Sequence, residues 1–153
     1  MSLEYEAWCA EEPDLSRVAR VTTLIMRSVF MLGEHETRCT LEERDSARFD
    51  WGDSVFCLVS KTGPDFAEDP RCWTLFAESG SRGEEVHELL SLAVVVSAGV
   101  AHDGVVVDET GRLANRKIRP MDLIGRVTRA EAPSAGELLR QLRSQVRTGG
   151  PGD

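Results

Sequence analysis

The sequence predicts an α+β fold: a mostly antiparallel sheet of about four to five strands, two main helices on one face, and further helices toward the C-terminus. Three observations carry that expectation. Residues 84–113, EEVHELLSLAVVVSAGVAHDGVVVDETGRL, read as an apolar helix, a glycine-centred stop, a short buried strand and a polar turn. Several short β-like runs separated by turn residues fall between 37 and 78. The resulting order, β-α-β-β-β-α-β followed by helices, needs at least one crossover connection.

Residues 3–10, LEYEAWCA, place Leu3, Tyr5, Ala7 and Cys9 on one side and Glu4, Glu6 and Trp8 on the other, the period of a half-buried strand. Pro13-Asp14 breaks it, and Asp14 is placed to cap a helix. From Leu15, apolar residues at Val18, Val21, Ile25, Met26, Val29 and Phe30 recur every three or four positions, so the helix runs on toward a left-handed stop at Gly33. TRCTLEE, 37–43, is a short strand candidate with Cys39 and Leu41 inward. Asp50-Trp51-Gly52-Asp53 reads as a turn before the strand 54–61, whose continuous apolar centre Val55–Val59 predicts burial on both faces. The stretch 62–71, with two prolines and three acids, is a loop, and 72–78 a strand.

The second helix is expected over 84–101, apolar nearly all round and hence covered on most sides. Its His87 is expected exposed beside acids, and His102-Asp103 at its C-terminal cap. A short strand at 105–107, a turn at 108–111 and a short helix at 121–127 follow. Ser134 and Glu137 form a capping box for a last helix, 135–147, with Leu138, Leu139, Leu142 and Val146 apolar, before a tail at 148–153. The expected organisation is one α+β domain over 1–130, with a C-terminal helix and tail over 131–153.

With 41% apolar and 29% charged residues, the 153-residue chain has the composition of a globular protein and the length for one domain. Its charge is uneven. Residues 1–111 hold 22 acids and 9 bases, a balance of −13, and residues 112–153 hold 4 acids and 9 bases, a balance of +5. Such a body repels phosphate backbones, which argues against nucleic acid as a partner and favours a basic protein. The basic run 112–119 is expected to pair with that acidic body. The N-terminus lacks a signal-peptide pattern, and the longest apolar run is shorter than the ~20 residues of a membrane span. A cytoplasmic chain with reduced thiols and no membrane association is the expectation.

Chemistry-bearing motifs are scarce. Cys9, Cys39, Cys57 and Cys72 lie 30, 18 and 15 positions apart, without metal-ligand spacing, and no HExxH pattern accompanies the three histidines. Gly52-Asp53-Ser54 resembles the GDS element of lipolytic serine hydrolases, yet it precedes its strand and no Asp-x-x-His exists. The loop 79–83, SGSRG, lacks the P-loop lysine and leads into Glu84-Glu85, which repel phosphate. No catalytic residue, metal or cofactor is assigned.

Aromatic side chains ringed by acids remain: Asp50, Trp51 and Asp53 form one group, and Asp65, Phe66, Glu68 and Asp69 another at the opposite end of the same strand. These are the candidate partner-binding residues, since aromatic anchors supply contact energy and acids raise the on-rate toward a cationic surface. Trp51 and Phe66 folded inward as core caps are the alternative.

The alanine- and valine-rich helix followed by HDGVVVDETGRL resembles a pattern in small uncharacterised bacterial α+β proteins, some of which resemble immunity proteins of polymorphic toxin systems. The resemblance covers 84–113 and carries no site residue, because the matched positions are scaffold. It implies an α+β fold and inhibition of a toxin. The leading functional expectation is a non-enzymatic, acidic binding protein, of the immunity type, that captures a basic toxin or another basic protein. A small-molecule-binding domain or small enzyme without a recognisable motif is the second reading, and a structural homodimer subunit the third.

Overall fold

The computed structural model describes residues 4–67, 69–81, 84–107 and 117–128. Its centre is one antiparallel sheet of seven strands: β1 (Glu4–Cys9), β2 (Thr37–Glu43), β3 (Ser46–Trp51), β4 (Val55–Thr62), β5 (Trp73–Ser79), β6 (Gly104–Val107) and β7 (Lys117–Ile118), in the order β2-β3-β4-β5-β1-β6-β7. The helices are α1 (Leu15–Leu24), α2 (Glu85–Ala101) and α3 (Pro120–Thr128). The α+β class therefore holds, but the sheet is larger than the four to five strands expected.

The two extra strands have different reasons. In β3, Ala47, Phe49 and Trp51 are buried while Ser46, Arg48 and Asp50 point the other way, a clear period of two. The DWGD pattern suggests a turn at Asp50–Asp53, whereas the turn proper is residues 52–54 and Asp50 and Trp51 belong to the strand. β7 has only two residues, too few to show any pattern.

Two crossovers thread the sheet. α1 carries the chain from β1 over three strands to β2 at one edge, and α2 carries it from β5 across β1 to β6. Asp14 caps α1, its Oδ1 accepting from the Ser16 and Arg17 N–H groups. The helical run ends at Val29, four residues before Gly33, whose own φ of 114° is positive as the reading of a glycine stop expects. A π-helical turn at Ile25–Val29 ends it, Met31 takes the left-handed conformation with φ 56°, and the Leu32 N–H donates to the Met26 carbonyl at 2.9 Å. That bond, spanning six residues, satisfies a terminal carbonyl that a longer helix would have used.

α2 lies against β1, β4, β5 and β6, with α1 and α3 along its sides, so thirteen consecutive residues, His87–Gly99, are buried. The three described helices share that face. Tyr5, Ala7, Cys9, Cys57, Val59, Leu75 and Ala77 meet them as the floor of the core. The opposite face carries no described helix, which explains why β4 is not buried on both sides: Leu58 points outward and is 42% exposed. There Arg48 stacks 3.9 Å from the Phe56 ring centroid, and Lys117 Nζ lies 4.7 Å from that of Trp8. The expected turn at 108–111, the helix 135–147 and the tail fall outside the described residues. Among those described, no helix is long and apolar enough to cross a membrane.

Candidate binding surface

The partner-binding residues proposed from sequence do not converge. Asp50 points to the helix-free face and accepts from Arg48 Nε at 3.0 Å. Trp51 points the opposite way into the core, 3% exposed, with the His35 ring edge-on at 5.6 Å. Asp53 is exposed in the β3–β4 turn. At the far end of β4, an eight-residue strand about 26 Å long, Asp65 is exposed on the 3-10 turn Pro64–Phe66. The Phe66 side chain and Glu68 lie outside the described residues. Asp69 accepts from the Arg71 backbone N–H at 2.9 Å and from its guanidinium at 3.0–3.1 Å, and these hydrogen bonds hold its carboxyl down at about 2. The two groups thus stand apart, and the carboxylates of Asp50 and Asp69 already pair with Arg48 and Arg71.

The sequence reading missed a denser acidic surface around β2. Glu34 and Glu36 precede the strand, Glu42 and Glu43 end it, and Asp45 follows, all exposed. Arg27 fixes the approach to the strand: its Nε donates to the His35 carbonyl at 2.7 Å and its Nη2 to that of Glu34 at 2.9 Å. Thr37 N–H then donates to Thr23 Oγ1 on α1 at 2.9 Å. At the other end Lys61 donates to the Pro13 carbonyl at 2.8 Å and pairs with Glu12 at 3.3 Å. A cleft of about 330 Å³ separates this pair from Leu41 and Arg44. The legible signal was composition: residues 34–45 hold five acids against Arg38 and Arg44.

The imidazoles serve the scaffold. His87 is buried, contrary to the exposed position expected, because Glu84 Oε2 lies 2.9 Å from Nε2 while Nδ1 sits against the Phe56 backbone at 3.1–3.3 Å. His102 is at the C-terminal cap of α2, as expected, but its side chain reaches α1. Nε2 accepts the Asp14 N–H at 3.1 Å, so Nδ1 carries the proton given to Glu11 Oε1 at 2.9 Å. Under α2, the Tyr5 hydroxyl donates to Glu88 Oε2 at 2.8 Å, and the Ser79 and Ser91 hydroxyls are 3.1 Å apart. Among the described residues, no three His, Cys, Asp or Glu side chains gather where a metal ion would be held.

Every thiol is pushed up, the reverse of an activated nucleophile. Burial is the first cause at Cys9, which reaches about 12, and likewise at Cys39, Cys57 and Cys72. A raised folded-state value stabilises the fold below the unfolded value near 9 and loses that contribution as pH climbs toward 12. The melting temperature is therefore expected to fall steadily above pH 9, and less steeply in Cys9→Ala, as calorimetry across that range would show.

A second, larger cavity of about 890 Å³ opens where Trp8, Cys72 and Gly104 meet Arg71, Lys117 and Arg119. Asp69, Asp103 and Asp122 share its wall, so its charge is mixed. No family model, curated protein or solved structure matches the chain.

Proposed function

We propose that this chain is a non-enzymatic binding protein whose acidic surface captures a basic protein, in the manner of an immunity-type inhibitor of a cationic toxin. The observation that carries the reading is the concentration of exposed carboxylates around β2, beside an apolar side chain, Leu41, that is 63% exposed. Acids of one sign on a fixed strand steer a cationic surface and raise its association rate, and the exposed leucine adds contact area once it docks. The surface differs from the two acidic turns named from sequence, but the chemistry of the partner is the same. The raised thiols fit the reading, since they supply no nucleophile.

The test is retention of a basic protein from lysate at about 50 and 200 mM salt, a range over which exposed charges become substantially screened. Wild-type chain is compared with a Glu34→Gln, Glu36→Gln, Glu42→Gln, Glu43→Gln variant. A basic protein held at low salt, released at the higher salt and lost with the variant supports capture. Retention indifferent to salt and to the four substitutions defeats it. The 890 Å³ cavity favours one second reading, a small-molecule-binding domain. That reading expects metabolites to raise the melting temperature by mass action, and capture does not.

A further inference from the structure

One edge of the described sheet is β2, which is seven residues long and pairs only with β3 among the described residues. Five of its seven side chains are exposed. From these observations we infer that β2 accepts a basic, extended segment of the partner as an added antiparallel or parallel strand; this rests on the capture reading above and specifies how the partner is held.

An uncovered edge offers a row of backbone donors and acceptors, and proteins usually blunt it by shortening, bulging or charging it. In β2 the register shift lies between Leu41 and Glu43, at one end, and leaves Thr37–Leu41 in regular pairing with β3; at the other end the Thr37 N–H is already taken by Thr23 Oγ1 of α1, so the open stretch is 38–41. Charge is therefore the chief guard on that stretch, and it is net negative: Glu34 and Glu36 before it and Glu42, Glu43 and Asp45 after it, against Arg38 within it and Arg44 beyond it. A second copy paired antiparallel would bring the first pair of acids onto the last group, so self-pairing is repelled. A strand carrying lysine or arginine meets an acid at either end in either direction. Main-chain hydrogen bonds then supply affinity, and alternate side chains supply specificity, one set over Leu41 and the other over Arg38, Thr40 and Glu42. Like-charge exclusion and cation acceptance come from the same residues.

The probe is a synthetic peptide of about eight residues alternating Lys and Val, tested against the same peptide with alternate backbone nitrogens methylated. The methyl groups keep the charge and remove strand pairing. Hydrogen exchange on the full-length chain reads the amides of 37–43 in each case. Strand addition expects the unmodified peptide to bind, to slow alternate β2 amides about tenfold, and to bind at least tenfold more tightly than the methylated one. Equal, salt-sensitive binding of both peptides leaves charge capture standing and overturns strand addition. Binding of neither, even at low salt, overturns both. Slowed β2 amides without peptide, with a particle of twice the 16.9 kDa chain mass by light scattering, overturns the inference in favour of a second copy.

Discussion

Replacing Gly104 by alanine is expected to lower stability by about 3 kcal/mol and the melting temperature by about 10 °C. A Cβ built there lies 2.4 Å from the Trp8 carbonyl oxygen and 3.0 Å from Cys9 Cα. Both obstacles are backbone of β1, which is paired with β6 in register, Trp8 to Val105 and Cys9 to Gly104. Neither can rotate away as the tip of a side chain would, so relief means parting β6 from β1. That junction also carries Ala10 N–H to the His102 and Asp103 carbonyls at 3.2 and 3.3 Å, and Asp103 already holds φ 50°. The close approach is thus the reason for glycine, since its own φ is not in the left-handed region. Gly63→Ala is the control: its Cβ meets only the Trp73 ring, at 3.6 Å, an ordinary contact. Chemical denaturation of both variants checks the claim, and equal small losses would show that β6 yields more easily than its pairing implies.

How much of this was legible depends on which forces act locally. Strand β2 was read at its true limits, 37–43, and α2 within a residue, because a turn or an apolar run announces each one. The stop after Phe30 was not legible: Met31 has no preference for the left-handed region, and only the π-helical turn at Ile25–Val29 places it there. Burial of His87 was hidden for a related reason. Its spacing beside acids looks solvated, and the ring is enclosed only when β4 brings the Phe56 backbone to it across 31 residues. Of the acidic site candidates, sequence supplied composition but not edge position. Glu42 and Glu43 acquire meaning because β2 ends the sheet, and strand order is a long-range property that no window of residues contains.

Trp51 shows the same limit with a measurable consequence. Read from DWGD, an aromatic between acids suggests an anchor for a partner; in the fold it is 3% exposed beside Phe49 and Ala47 on the helix-facing side of β3. Trp51→Ala is therefore expected to cost about 4 kcal/mol of stability, the cost of emptying a large aromatic site in a core. Trp51→Phe, which keeps most of the ring volume, should cost no more than about half as much. The His35 ring, edge-on at 5.6 Å, adds a smaller contribution to the first loss. If Trp51 acts through the core alone, Trp51→Phe retains a basic partner at the wild-type salt dependence while its melting temperature drops. An anchor would give the reverse: near-native melting with weakened retention. Titrating each variant against the captured protein, at a temperature where both are folded, separates the two, because the stability loss then no longer enters the apparent affinity. On the proposed capture reading, the core role leaves the acids around β2 as the residues whose removal is expected to change binding without changing the fold.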